Sequence, residues 1–117
     1  MSIVRLGAGK RLSAAVVHGG VAYLSGHVAQ DPSADVAGQT EQILAQIDAR
    51  LAEAGSDKSR ILSANVWLAD IAGFDDMNRA WEAWVDPANA PARATVEAKL
   101  AAPQYKVEIA VIAAVGE

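Results

Sequence analysis

The stretch "KVEIAVIAAV", from Lys106 to Val115, predicts a strand that is apolar on both of its faces. Successive side chains of a strand point to opposite faces, so alternate positions form two rows. One row holds Val107, Ile109 and Val111, and the other holds Ala110, Ile112 and Ala114. A sheet face that carries such a row is normally covered by another layer. This strand therefore decides how many layers the chain must have.

Upstream, the chain alternates between strand patterns and helix patterns. "AAVVHGGVAYLSGHVA" predicts two strands around the turn His18-Gly19-Gly20. Pro32 and Ser33 are predicted to open a helix, which ends near Gly55. Its apolar side chains recur at spacings of three and four, as one helix face requires: they are Val36, Thr40, Ile43, Leu44, Ile47 and Leu51.

"RILSANVWLAD" predicts a further strand, and "FDDMNRAWEAW" predicts a second amphipathic helix, which ends at Asp86-Pro87 because proline disfavours helix in the residue before it. "ARATVEA" alternates between polar and apolar residues and predicts the fifth strand. With one further strand expected before the hairpin, the order is strand, strand, strand, helix, strand, helix, strand, strand. Two helices cover one face of such a sheet, which predicts an α+β two-layer sandwich with a mixed six-stranded sheet. The second apolar face is then most economically covered by another copy of the chain.

Composition narrows the classes of function. The chain has 117 residues, 52% of them hydrophobic, which predicts one globular domain over residues 1–117. The net charge of -4 and the lack of a basic cluster argue against a nucleic-acid partner. No apolar run is long enough for a membrane span and no signal peptide is recognised, so the expectation is a cytoplasmic protein without a membrane partner. The chain has no cysteine, and the spacing of His18 and His27 does not suit a metal site.

Arg93 and Glu108 are the charged residues that the strand patterns explain least. Arg93 could form an ion pair with Glu97 or Glu108, or its planar guanidinium could bind a carboxylate ligand at a subunit interface. Glu108 lies in an apolar strand, where an ionised carboxylate is costly without a partner or solvent. It could pair with Arg93 or Lys106, or act as a general acid/base that holds a water molecule.

Two polar residues follow the third predicted strand in "YLSGHV". Ser25 reads as a strand-end hydroxyl, since the G-x-S-x-G context of a serine nucleophile is missing. His27 reads as an exposed or hydrogen-bonded surface residue. Neither is predicted to act as a catalytic nucleophile.

Taken together, these segments resemble the RidA (YjgF-type) family of small imine deaminases, most closely its short YoaB-like members. The resemblance runs through "YLSGHVA", the two helix segments, "APARATVEAKL" and "KVEIAVIA", and so covers nearly the whole chain. Its specific part is "PAR" at the start of a strand, followed about fifteen residues later by "VEI".

The resemblance implies a chorismate-mutase-like sandwich that assembles as a homotrimer with ligand clefts between subunits. It implies hydrolysis of 2-imino acids to 2-keto acids and ammonia, without a cofactor or metal. In the family's pattern, Arg93 grips the substrate carboxylate and Glu108 orients the attacking water. The backbone at Thr95 lines the cleft, and Ser25 and Gly26 match the motif at its edge.

The sequence departs from the family's pattern at three positions. Thr95 stands where many members have cysteine, and His27 stands where glutamine is commoner. Leu12 falls where several members have a tyrosine over the ligand, and it is therefore another candidate substrate-binding residue.

Three functional hypotheses remain. The first is an enzyme that hydrolyses 2-imino acids. The second is a non-catalytic trimer that binds or senses small 2-keto carboxylates, for which Arg93 is needed but Glu108 is not clearly needed. The third, RNA cleavage or inhibition of translation, is associated with some relatives, and the acidic charge of this chain argues against it.

Overall fold

The structure is a computed structural model that describes residues 2–116. Six strands and two α-helices follow the predicted order: β1 (Val4–Leu6), β2 (Ala15–His18), β3 (Val21–Leu24), α1 (Val36–Ala54), β4 (Ile61–Leu68), α2 (Phe74–Trp84), β5 (Ala92–Glu97) and β6 (Val107–Ala114). The α+β fold class predicted from the sequence is confirmed.

The strands form one mixed sheet in the order β1-β2-β3-β6-β4-β5. β4 and β5 pair in parallel, and every other neighbouring pair is antiparallel. β6, the strand that is apolar on both faces, therefore lies in the interior of the sheet between β3 and β4. β5, which carries Arg93, forms one edge.

The β2–β3 turn and the end of α1 both depend on glycine. Gly19 and Gly20 connect β2 to β3 with φ angles of 60° and 77°, which suits the two-residue hairpin turn predicted there. Gly55 has a φ of 84° and caps the end of α1, donating its backbone N–H to Ala52 and Leu51. Both predictions from glycine are confirmed.

α1 begins three residues later than the sequence pattern suggested. Asp35 is its N-cap, and a carboxylate oxygen of Asp35 accepts a hydrogen bond from the backbone N–H of Gly38 at 2.8 Å. The prediction that Pro32 and Ser33 open the helix was therefore wrong. Proline is tolerated at a helix start, but the capping carboxylate of Asp35 satisfies a backbone N–H that would otherwise lack a partner.

Both helices pack on one face of the sheet and form the core there. The buried row of β6 is Val107, Ile109, Val111 and Ala113. The buried stripe of α1 includes Ile43, Leu44, Ile47 and Leu51. On α2, Met77 and Trp81 are buried. We call this side of the sheet the helix face.

The opposite side of the sheet, which we call the open face, carries no helix of residues 2–116. Large apolar side chains lie on it, including Tyr23 and Val96, which are 49% and 51% exposed. The second row of β6, Ala110, Ile112 and Ala114, also lies there and is only partly buried. The sheet is therefore apolar on both faces, as the sequence predicted.

On β5 the polar side chains lie under the helices and the apolar side chains point away from them, which is the reverse of the usual arrangement for a strand at the surface. Arg93 and Thr95 pair with Ala64 and Val66 of β4, which are buried under the helices. The polar row of β5 therefore lies on the helix face. Its apolar row, which includes Val96, lies on the open face.

Within residues 2–116, no helix is long and apolar enough to cross a membrane.

Candidate functional site

Arg93 lies at the edge of the helix face, against the aromatic side of α2. The carbon of its guanidinium is 5.2 Å from the ring centroid of Trp81 and 5.9 Å from that of Phe74. A guanidinium nitrogen also lies 3.8 Å from the sulfur of Met77. Cation–π contacts of this kind orient a guanidinium and leave its edge available to an acceptor.

The ion pairs considered for Arg93 are not formed in the chain. Among residues 2–116, no carboxylate lies within ion-pair distance of its guanidinium. Glu97 instead accepts a hydrogen bond from the backbone N–H of Ile71 at 3.0 Å. Burial lowers the pKa of Arg93, and the charge of Glu82 partly opposes this. Arginine nonetheless stays protonated, so Arg93 is a half-buried cation without a carboxylate in ion-pair contact among the described residues.

Glu108 points to the open face. Its neighbours Val107 and Ile109 are fully buried on the helix face, and side chains alternate along a strand. Neither Arg93 nor Lys106 pairs with it among the described residues, so neither of the ion pairs considered for Glu108 forms within the single chain. The ammonium of Lys106 instead donates to the carbonyl of Ala34 at 3.1 Å.

The carboxylate of Glu108 packs directly on the backbone of Gly26. A β-carbon added to Gly26 would lie 1.9 Å from a carboxylate oxygen of Glu108 and 2.9 Å from its carboxyl carbon. No side chain larger than hydrogen fits there while Glu108 keeps its position. The structure thus places two of the predicted site residues in contact.

Ser25, the residue before Gly26, is hydrogen-bonded to the loop that precedes β2. Its backbone N–H and its hydroxyl both donate to the carbonyl of Ala14, at 2.9 Å and 3.2 Å. Leu12 lies two residues before Ala14 and is 62% exposed. Leu12 is therefore an exposed apolar side chain in the loop that anchors Ser25.

Arg93 and Glu108 are far apart in one chain. Glu108 pairs with Trp67, which in turn pairs with Val96, three residues beyond Arg93 on β5. Strand spacing and rise then separate the two backbones by roughly 14 Å, and the two side chains lie on opposite faces. A ligand the size of a small amino acid cannot touch both within one copy.

Comparison with known proteins identifies relatives over nearly the whole chain. The family described as endoribonuclease L-PSP matches residues 2–115. The RutC family protein YoaB of Escherichia coli K12 is 50% identical over 115 residues, which cover 98% of this chain and 100% of the relative. The chain belongs to the YjgF (RidA) family. A RutC family protein of Haemophilus ducreyi is 49% identical over 113 residues, covering 97% of each chain.

The fold of this YjgF-family chain also matches solved structures of the family. The crystal structure of NMB1025, a YjgF-family protein from Neisseria meningitidis, superposes with a TM-score of 0.97 at 44% identity. The match covers 100% of this chain and 98% of that one. The family resemblance read from the sequence is confirmed.

Thr95 lies beside Arg93 on the same row of β5. Its hydroxyl is buried and finds no hydrogen-bond partner among residues 2–116. A buried hydroxyl without a partner is uncommon, because the lost hydrogen bond is not recovered elsewhere. Thr95 and Arg93 are therefore two polar groups with unused hydrogen-bonding capacity at adjacent places.

The aromatic residues around Arg93 were missed as part of the site. The helical spacing of Phe74, Met77 and Trp81 predicts only an apolar stripe on α2. The pattern did not show that this stripe packs against the polar row of β5. Only the parallel pairing of β4 with β5 brings Arg93 under α2.

One cavity of the described residues lies away from both Arg93 and Glu108. A cavity of about 710 Å³ is bordered by the segment between β5 and β6, including Lys99, Leu100 and Tyr105. Neither Arg93 nor Glu108 borders it. Cavity size in a single copy is a poor guide here, because the two candidate residues face different sides of the sheet.

Proposed function

We propose that this protein hydrolyses reactive 2-imino acids to 2-keto acids and ammonia at sites formed between copies of the chain. The observation that carries the proposal is Arg93, a half-buried guanidinium with no carboxylate partner in the described chain. A planar guanidinium matches a carboxylate bidentately. The carboxylate common to imino and keto acids would supply the missing anion.

The proposed chemistry needs few groups. Arg93 fixes the substrate carboxylate and so presents the carbon of the C=N bond to a water molecule. Glu108 takes a proton from that water as its oxygen bonds to the carbon, and this proton passes to the imine nitrogen to give a carbinolamine. Glu108 then takes the hydroxyl proton of the carbinolamine and delivers it to the nitrogen as the C–N bond breaks, which releases ammonia and leaves the C=O of the keto acid. Neither a cofactor nor a metal is required.

We propose that Arg93 and Glu108 come from two different copies. Their separation and opposite facing in one chain motivate this, together with the apolar open face. Thr95 would then lie beside the carboxylate held by Arg93. Ser25, Gly26 and the exposed side chain of Leu12 would border the ligand from the copy that supplies Glu108.

A homotrimer is the assembly that we expect. Covering the open face removes the exposed apolar surface of Tyr23 and Val96 from water. Light scattering or native mass spectrometry should therefore give three times the 12.2 kDa mass of one chain. A stable monomer at micromolar concentration would contradict both the assembly and the shared site.

The description of the matching family as an endoribonuclease raises RNA as a substrate. The net charge of -4 gives the chain a field that repels phosphate. Arg93 itself is half-buried among aromatic side chains, where a small planar carboxylate reaches it more easily than a phosphate backbone. These properties favour a small anionic substrate.

One assay tests the proposed activity directly. An amino-acid oxidase generates 2-imino acid in the presence of semicarbazide, which traps free imine. Added protein should lower the amount of trapped imine and raise the amount of free keto acid. If the imine is trapped at the same rate with and without protein, while 2-oxobutanoate still binds in calorimetry, the protein is a non-catalytic binder of keto acids.

We expect Gly26→Ala to damage activity more than stability. The new methyl group would push the carboxylate of Glu108 aside, and a flexible side chain can move without unfolding the sheet. A displacement of about 1 Å can cost on the order of a hundredfold in rate. The semicarbazide assay should show that loss while the Tm changes by only a few degrees.

Gly9→Ala is the matched control for Gly26→Ala. A β-carbon at Gly9 would meet only the carbonyl oxygen of Leu12, at an ordinary 3.7 Å. It should keep wild-type turnover. Full activity in Gly26→Ala would show that the position of the Glu108 carboxylate does not matter.

A further inference from the structure

The chain has one extra residue beside Glu108. Tyr23 pairs with Ile112, and His27 pairs with Ile109. Four residue steps from Tyr23 to His27 thus oppose three steps on β6. The extra residue lies at Ser25 and Gly26, which form a β-bulge. Bulges often change the direction of side chains next to active sites.

The bulge turns His27 inward. Its backbone N–H donates to the carbonyl of Ile109 at 2.8 Å, and the N–H of Ile109 donates back at 3.1 Å. Ile109 lies on the helix face, so the His27 ring lies there too, with only 9% of the residue exposed. The interpretation of His27 as a surface residue was wrong.

The buried ring of His27 forms a hydrogen bond with the backbone of the bulge. Nδ1 of His27 lies 2.7 Å from the carbonyl oxygen of Ser25. A carbonyl oxygen only accepts, so Nδ1 must carry the hydrogen. Nδ1 is protonated in this neutral tautomer and also in the imidazolium, so the hydrogen bond survives a change of charge on the ring.

This hydrogen bond fixes the peptide on which Glu108 rests. The Ser25–Gly26 peptide is trans, so its C=O and its N–H point in opposite directions. With the C=O held by His27 on the helix side, the N–H of Gly26 points away from the His27 ring. The carboxylate of Glu108 packs on the same glycine.

We propose that His27 is a positioning residue for the candidate site: its Nδ1–H holds the Ser25–Gly26 bulge, and the bulge holds the Glu108 carboxylate. His27 itself touches neither substrate nor water in this proposal. Its effect on turnover rests on the proposed function, whereas its effect on the geometry of the bulge does not.

The variants His27→Leu and His27→Asn separate this role from simple packing. Leucine and asparagine have similar shapes, but only asparagine places an N–H near the position of Nδ1. We expect His27→Leu to lower kcat at least about tenfold, because misplacing a catalytic group by about 1 Å is costly. His27→Asn should recover most of kcat with an unchanged pH profile, and both variants should bind 2-oxobutanoate within about threefold of wild type.

A matched control exists in His18. Its Nδ1 also contacts a backbone carbonyl, that of Ser2 at 3.0 Å, but on the exposed β2–β3 hairpin. His18→Leu should keep wild-type kcat. Wild-type kcat in His27→Leu, or equal losses in His27→Leu and His27→Asn, would overturn the proposal.

An NMR measurement does not depend on turnover. It therefore tests the proposal even if the wild type does not hydrolyse imines, or if His27→Leu does not fold. In wild type, the ring ¹⁵N signals should show a protonated Nδ1. In His27→Asn, the amide signal of Gly26 and the carboxyl ¹³C signal of Glu108 should stay near their wild-type positions. Two results would overturn the positioning role, whatever the substrate is. The first is an unprotonated Nδ1 in wild type, and the second is a Gly26 amide signal in His27→Asn that moves to its position in the denatured chain.

Discussion

Replacing Arg93 with alanine should remove both keto-acid binding and imine hydrolysis, and replacing it with lysine should restore little of either. Truncating one partner of a buried charge pair costs about 2–5 kcal/mol or more, which is roughly 30-fold to several thousandfold in affinity. Lysine keeps the charge but lacks the planar fork that binds a carboxylate bidentately. Calorimetry with 2-oxobutanoate and the semicarbazide assay measure the two losses.

Stability should change little in Arg93→Ala. No carboxylate of the described chain loses an ion-pair partner, and the lost cation–π contacts with Trp81 and Phe74 are worth about 0.5–2 kcal/mol. Arg79→Ala is the control, because Arg79 is an exposed arginine of α2 paired with Asp76. Near-normal turnover in Arg93→Lys would mean that Arg93 contributes only charge, and a large fall in Tm in Arg93→Ala would mean that it is structural.

The second large effect is expected for Glu108→Gln. Glutamine keeps the shape of the side chain and most of its hydrogen bonding but cannot take a proton from water. General acid–base groups contribute roughly a hundredfold to ten-thousandfold in rate. Turnover should fall by about that factor, while the affinity for 2-oxobutanoate stays within about threefold, since Arg93 is intact.

The same substitution separates catalysis from binding. If the protein only binds keto acids, Glu108→Gln leaves their affinity near wild type and no turnover exists to lose. If Glu108 instead neutralises Arg93 of another copy, its loss lowers the Tm and tightens keto-acid binding, because the cation is left without a counter-ion. Glu97→Gln is the control: Glu97 accepts a hydrogen bond from the backbone N–H of Ile71, and the amide oxygen of glutamine can still accept it.

The fold could be predicted from the sequence because its signals are periodic and local. The double apolar row of β6 predicted a sheet that is apolar on both faces, and the stripes of α1 and α2 predicted one layer of helices. The boundary at Asp35 was missed because Pro32 and Ser33 are also common at helix starts. That choice depends on which side chain reaches the first backbone N–H groups.

The site was less predictable because facing depends on register. Alternation alone could not show whether the polar row with Arg93 meets solvent or α2, since that depends on how β5 pairs with β4. His27 shows the same limit. Counting alternately from the buried Leu24 predicts an outward ring, and the single extra residue of the bulge reverses it.

Under the proposed shared site, the opposite facing of Arg93 and Glu108 would make activity depend on the concentration of the chain. If each ligand needs an arginine from one copy and a glutamate from the next, a dissociated chain has no complete site. Turnover per chain should then fall on dilution below the assembly constant, even though every chain remains folded. A cell that makes little of this protein would therefore lose activity faster than it loses protein.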